Sequence, residues 1–112
     1  MMDYNKIGYK IIDMLTDKWL DSLDEHPEIY FYPVNYSDIR CWGSCEQHDW
    51  EANAYVIHVA TDQSLRDFVA TVVHEMVHVR QWTLGKWSGD GEKEAQRLQY
   101  KIADTIWKGS LL

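Results

Sequence analysis

Long apolar runs are absent from this sequence, and basic residues and cysteines are few. No stretch approaches the roughly 20 apolar residues that a membrane-spanning helix needs, so we expect neither a membrane span nor a membrane partner. Residues 1–15 also lack a basic segment followed by a continuous apolar run. We therefore predict no signal peptide and a soluble, cytoplasmic protein.

Positive charge is scarce as well. Eleven Lys and Arg residues stand against 18 Asp and Glu residues, which gives a formal net charge of −7. Non-specific binding to a phosphate backbone requires clusters of positive charge, so the composition argues against a nucleic-acid partner. A peptide or protein substrate remains compatible with an acidic chain.

Only two cysteines are present, Cys41 and Cys45. In a chain without a secretion signal, two reduced thiols are favoured over a disulfide. The pattern Cys41-x3-Cys45-x2-His48 is also an alternative site for a second, structural zinc. Zinc fingers usually use more closely spaced pairs and four ligands, so we favour buried or half-exposed thiols.

The length of 112 residues predicts one domain over residues 1–112, and no internal repeat or low-complexity tract interrupts it. Apolar residues recur with helical spacing over about 3–23, 64–83 and 92–108, which predicts three helices. Gly85 is expected to end the second of these.

β-branched and aromatic residues predict three strands. They cover 28–34, where Pro33 indicates an edge or an end, then 37–45, and finally 54–60, which we interpret as an edge strand. The fold class that follows is α+β: a small twisted sheet with an N-terminal helix, a central helix and a C-terminal helix.

The sequence His74-Glu75-Met76-Val77-His78 lies within the second predicted helix and has the pattern H-E-x-x-H. Histidines four residues apart lie one above the other on a helix, where both imidazoles can bind one Zn²⁺. The helix has an apolar stripe centred near Val72 and Met76, and the histidines fall on roughly the opposite side. They therefore need a second surface to face, and the C-terminal helix is the obvious candidate. Two partly exposed histidines without a metal are the alternative interpretation.

A catalytic zinc usually has three protein ligands and an open position. No histidine follows His78, and Leu84, where the long metzincin signature places its last ligand, is apolar. The third ligand is therefore expected among four carboxylates: Asp90, Glu92, Glu94 and Asp104. We prefer Glu92, which lies close to the apolar stripe of the last helix and at its start, where the helix dipole favours a carboxylate.

At this point the chain resembles the gluzincin group of zinc metallopeptidases, in which an HExxH helix is followed by a ligand Glu on the next helix. Glu92 and the small residue Ala95 are similar to that pattern, whereas Gln96 stands where the group has Asp or Asn. Asn53-Ala54-Tyr55 resembles the start of the edge strand in HtpX-like members. The compact size is similar to single-domain minigluzincins and, as a weaker alternative, to SprT-like peptidases, which use a third histidine.

The resemblance implies a zincin-like fold and a hydrolase that cleaves peptide bonds through a zinc-bound water. His74, His78 and Glu92 would bind the Zn²⁺ cofactor, and Glu75 would act as the general base. An extended peptide is expected to pair with residues 54–60. The candidate donors to the oxyanion are Tyr55, His58, Arg80, Arg97 and Tyr100.

Two alternatives to an active protease remain. The chain could be a zinc-stabilised binding module without turnover, although the intact Glu75 favours an enzyme. It could also be a latent protease that needs a partner to complete its cleft.

Overall fold

The computed structural model describes residues 2–109 of the predicted 1–112 domain, and this part of the chain contains four helices and three strands. The helices are α1 (Tyr4–Leu20), α2 (Tyr36–Ile39), α3 (Leu65–Leu84) and α4 (Glu92–Lys108), and the strands are β1 (Glu28–Val34), β2 (Gly43–Gln47) and β3 (Ala54–Ala60). The predicted α+β class is confirmed. No helix in residues 2–109 is long and apolar enough to cross a membrane.

The three strands form one mixed sheet in the order β1–β3–β2. β1 is parallel to β3, with Phe31 opposite Ile57, and β2 is antiparallel to β3, with Cys45 opposite the same Ile57. β1 lies at an edge, in agreement with Pro33, which cannot donate a backbone hydrogen bond. The prediction that 54–60 is an edge strand is wrong, because β1 and β2 occupy both of its sides.

The predicted strand over residues 37–45 is also wrong in its first half. A single helical turn, α2, replaces it, and β2 begins only at Gly43. Two carboxylates hold the start of this turn: Asp38 accepts a hydrogen bond from the backbone N–H of Asn35 (3.2 Å), and Asp62 accepts one from the next N–H (2.8 Å). One of these partners is distant in sequence, so local propensity alone does not define the turn.

The core lies between one face of the sheet and helices α1 and α3. Ile29 and Phe31 from β1 and Ile57 and Val59 from β3 are buried on this face. Helix propensity alone favours Ala over Gly8 inside α1. A Cβ atom at Gly8 would overlap the ring of Phe31, so glycine allows α1 to approach the sheet closely.

Helix α3 is the central element of the fold. Ser64 caps its start by accepting a hydrogen bond from the backbone N–H of Asp67 (3.1 Å), and Gly85, with a φ of 67°, ends it as predicted. Phe68 and Val72 lie on the side that packs into the core. The opposite side packs against α4, which is the surface predicted to cover the histidines of the HExxH motif.

Candidate metal centre

Both motif histidines point at the carboxylate of Glu92. The Nε2 atom of His74 lies 3.1 Å from Glu92 Oε2, and the Nε2 atom of His78 lies 2.7 Å from Glu92 Oε1. Ligand atoms of the three residues all lie within 4.8 Å of one another, and no other such His, Cys, Asp or Glu group occurs in residues 2–109. Two imidazoles and one carboxylate are the donor set of several catalytic zinc sites, which keep a fourth position open.

Local structure explains why these three side chains meet. The four-residue spacing places His74 and His78 on one face of α3. Glu92 is the first residue of α4, and its backbone N–H donates to Asp90 Oδ1 (3.0 Å), which fixes the start of that helix. Gly91 precedes it with a φ of 80°, a conformation that favours glycine.

Each histidine has a glutamine oxygen at its second ring nitrogen. His78 Nδ1 lies 3.0 Å from Gln81 Oε1, and His74 Nδ1 lies 2.6 Å from Gln99 Oε1. The amide orientation of Gln81 is fixed, because its Nε2 donates to the carbonyl oxygen of Gly91 (3.0 Å) and to Glu94 Oε1 (2.9 Å). Both of these partners can only accept, so the Oε1 of Gln81 must accept from His78 Nδ1–H.

This orientation determines what His78 presents to Glu92. With the proton on Nδ1, a neutral imidazole directs the lone pair of Nε2 at a carboxylate oxygen 2.7 Å away. Two acceptors at that distance repel each other unless a proton or a cation lies between them. The donor chemistry of the cluster therefore fits a divalent metal ion such as Zn²⁺.

The other candidate carboxylates have different partners. Glu94 accepts from Gln81 and lies 3.6 Å from Arg80, and Asp104 pairs with Arg66 at 3.2 Å. Asp90 accepts from the backbone at the start of α4. The structure thus brings Glu92, and none of these three, to the histidine pair.

The alternative site at Cys41, Cys45 and His48 does not assemble. Both cysteines are free thiols, as expected. Among residues 2–109, only His74, His78 and Glu92 lie close enough together to share a metal ion, and His48 Nδ1 instead accepts hydrogen bonds from the backbone N–H groups of Trp50 (3.4 Å) and Glu51 (3.0 Å). Burial also raises the pKa of the Cys45 thiol, which disfavours the thiolate that a metal requires.

Glu75 lies beside the cluster in a nearly closed environment, with 5% of its surface exposed. Burial raises the pKa of Glu75 to about 8, and the carboxylate of Glu92 adds to the effect. A cation bound by the cluster would oppose this shift by favouring the carboxylate form. A Cβ atom at Gly43 would lie 3.0 Å from Glu75 Oε2, so the start of β2 passes directly over this side chain.

A cavity of about 280 Å³ opens next to His74 and Glu75. Tyr100, one of the candidate oxyanion donors, lines it. Three of the other candidates make contacts elsewhere: Tyr55 stacks on Trp82, His58 stacks on Tyr32, and the guanidinium of Arg80 lies over Trp19. Arg97 is exposed on α4.

Sequence reasoning missed the roles of Gln81 and Gln99. A signal exists in the spacing, because Gln81 follows His78 by three residues and Gln99 follows Glu92 by seven, and both intervals keep residues on one helix face. Gln96, which occupies the position of an acidic residue in gluzincins, is exposed on α4.

Comparisons with protein-family models, with curated proteins and with solved structures return no match for this chain.

We predict that Gln81→Met lowers zinc affinity by about 10- to 100-fold, the effect typical of losing a residue that orients a histidine ligand. The substitution keeps the side-chain length but removes the acceptor for His78 and the donor to Gly91. Competition with a fluorescent chelator measures the affinity. Gln96→Met on the exposed face of α4 is the matched control and should bind zinc like the wild type. Equal affinities of the two variants would show that Gln81 does not support the site.

Proposed function

We propose that this protein is a zinc-dependent metallopeptidase with a zincin-like arrangement, in which His74, His78 and Glu92 bind zinc and Glu75 is the general base. The observation that carries the proposal is the approach of two Nε2 atoms to the two oxygens of one carboxylate, at 3.1 and 2.7 Å. The fixed Nδ1–H donor of His78 supports it, because the lone pair of Nε2 is left for a cation.

A zinc ion held by His74, His78 and Glu92 would supply Lewis-acid chemistry, which polarises a scissile carbonyl and makes water a better nucleophile near neutral pH. Glu75 accepts the proton of the attacking water and transfers it to the leaving amine. Its buried position places its pKa nearer to neutral pH than that of an exposed glutamate, which suits a group that must both accept and release a proton. Gln81 and Gln99 hold the imidazoles in place throughout.

We assign the pairing with an extended peptide to β2 rather than to β3. The expected pairing of a peptide with residues 54–60 is not possible, since β3 is the central strand. Among residues 2–109, β2 is the other edge strand of the sheet, and its first residue, Gly43, lies against Thr71 and Glu75. An extended peptide that adds to this edge by main-chain hydrogen bonds would pass beside the general base.

Removal and return of zinc test the proposal. We expect the zinc-loaded protein to cleave members of a mixed peptide library, to stop after treatment with 1,10-phenanthroline, and to recover when zinc is added back. Mass spectrometry of the products measures cleavage. A zinc-loaded protein that cleaves no peptide would contradict the proposal.

The same samples distinguish an active peptidase from a zinc-stabilised binding module. A ligand that binds only the folded state raises its stability, by about 2.7 kcal/mol when the free ligand is at 100 times its Kd. Zinc that raises the melting temperature without any cleavage would therefore favour a binding module or a latent protease over an active enzyme.

A further inference from the structure

The 280 Å³ cavity beside the metal cluster has a distinct chemical character. It lies where α3, α4 and the residue before β2 meet, and His74 and Glu75 form the part of its wall nearest the candidate metal centre. The remaining wall is polar and aromatic: Trp42, Gln63, Asp67, Thr71, Gln99 and Tyr100. A substrate group bound there would lie next to the reacting bond.

Three neutral polar side chains in this wall, Gln63, Thr71 and Gln99, have hydrogen-bond partners within the protein. Gln63 Nε2 donates to the carbonyl oxygen of Ala60 (2.8 Å), and Thr71 Oγ1 lies within hydrogen-bond distance of Gln63 Oε1 (3.2 Å) and of the carbonyl oxygen of Asp67 (2.8 Å). Gln99 Oε1 is occupied by His74. The amide oxygens of Gln63 and Gln99 therefore already have partners within the protein.

Asp67 is different, because it keeps an acceptor. Its Oδ1 accepts a hydrogen bond from the hydroxyl of Tyr100 (2.8 Å), whereas Oδ2 has no hydrogen-bond donor among residues 2–109. No Lys or Arg lines the cavity. The neighbouring Arg66 pairs with Asp104 at 3.2 Å and places its guanidinium over the Tyr100 ring. Its charge acts on Asp67 from nearby, but Arg66 does not line the cavity.

Trp42 adds a second feature that suits a cation. Half of its surface is exposed, and its ring packs against Tyr36 with the centroids 4.5 Å apart. The face of an indole attracts ammonium and guanidinium groups, and its apolar surface accepts the methylene chain of a long basic side chain. The net charge of −7 further favours the approach of cationic substrates.

We propose that this cavity is a substrate pocket that binds a positively charged group of the peptide, adjacent to the scissile bond, with Asp67 as the specificity-determining residue. The cation is either the side chain of Lys or Arg or the free amino group of the peptide. The inference rests on the proposed peptidase function and adds its substrate class.

Paired peptides test the pocket. We expect the zinc-loaded wild type to prefer a peptide with Lys over the same peptide with norleucine, which has no charge. If the pocket binds the amino terminus of the peptide instead, the protein should prefer a peptide with a free amino terminus over the same peptide with an acetylated one. Asp67→Asn should lower kcat/KM for the cationic member about fivefold and leave the neutral member within about twofold, as expected for a partly exposed ion pair.

Asp67→Asn removes the charge of Asp67 and keeps its shape. The amide oxygen introduced by Asp67→Asn would still accept from the Tyr100 hydroxyl, and cleavage of the neutral peptide reports that the catalytic centre is intact. Asp24→Asn removes the same charge at an exposed position outside the cavity and should behave as the wild type. Equal cation preference in Asp67→Asn and wild type, or no preference in either, would overturn the pocket.

A binding measurement separates this inference from the proposed function. The measurement is an NMR titration of protein labelled with ¹⁵N at tryptophan. Nα-acetyl-lysine amide supplies a side-chain cation, leucine amide supplies a free amino group, and Nα-acetyl-norleucine amide is the neutral reference. One cationic probe should shift the Trp42 indole N–H signal in the wild type and not in Asp67→Asn. If the protein hydrolyses no peptide but a cationic probe shifts this signal, the proposed peptidase function is wrong and the cation pocket stands. If neither cationic probe shifts the signal, the pocket is wrong.

Discussion

Replacing Glu75 by Gln is expected to reduce peptide hydrolysis by about 10²- to 10⁴-fold, the range that a positioned general base contributes. Gln has the same shape but cannot accept the proton of the attacking water. Zinc should remain bound, because the substitution leaves His74, His78 and Glu92 in place. Turnover of a fluorogenic peptide and the zinc content of the same sample measure the two effects.

The variant should also fold normally. Glu75 is buried, and its pKa is raised to about 8 mainly by burial. A carboxyl group with a raised folded-state pKa destabilises the metal-free protein progressively above its unfolded-state pKa, because folding then opposes ionisation. Gln stays neutral at every pH, so at pH 7 the metal-free variant should be at least as stable as the wild type.

Glu25→Gln is the matched control, since Glu25 is exposed and precedes the sheet. It should retain wild-type activity. Normal turnover in Glu75→Gln would show that another group accepts the proton and that the proposed mechanism is wrong.

The second large effect concerns the third ligand. Glu92→Ala is expected to weaken zinc binding by more than about 100-fold, because loss of a direct ligand should exceed the loss caused by a residue that only orients one. Glu92 is the single carboxylate within 3.1 Å of a histidine Nε2 atom in residues 2–109. Competition with a chelator of known affinity measures the change.

Glu94→Ala is the informative comparison, because the sequence also allows Glu94 as the third ligand. Glu94 contacts Gln81 and Arg80 but neither histidine, so its removal should leave zinc bound within about tenfold of the wild-type affinity. Loss of zinc in Glu94→Ala with retention in Glu92→Ala would reverse the assignment.

Much of this architecture follows from local sequence. The strand bounds 28–34 and 54–60 and the start of α4 at Glu92 were predicted as the structure has them, because β-branched runs with turn-like borders and helical apolar spacing are strong local signals. Gly85 ends α3 as expected, since a left-handed residue stops a helix. The approach of α4 to the histidine face also followed from the position of His74 and His78 off the apolar stripe.

The strand order and the contacts around the site could not be predicted from local sequence. The place of β3 between β1 and β2 depends on pairing between distant segments, which period-2 patterns do not encode. The same limit applies to α2, whose first turn is held by Asp62 from beyond β3. Gln81 and Gln99 carry no charge and match no motif, so only the three-dimensional contact identifies them as partners of the histidines.

The contacts of Asp67 in the proposed pocket could not be predicted from the sequence either. Asp67 lies in the first turn of α3, where an acidic residue is explained by the helix dipole alone. Its contact with Tyr100, 33 residues away, requires α4 to return along α3. The sequence resemblance to gluzincins concerns the HExxH motif and Glu92, whereas the proposed substrate pocket depends on how α4 packs against α3.

We propose that His74, His78 and Glu92 together bind one zinc ion. Zinc K-edge X-ray absorption of the zinc-loaded protein tests it most directly, since it identifies the atoms bound to the metal. We predict two imidazole nitrogens at about 2.0–2.1 Å, oxygen ligands at about 2.0–2.2 Å, and no sulfur. A sulfur ligand at about 2.3 Å, which would place the metal at Cys41 or Cys45, or the absence of any imidazole signal, would show that this set of three ligands is wrong.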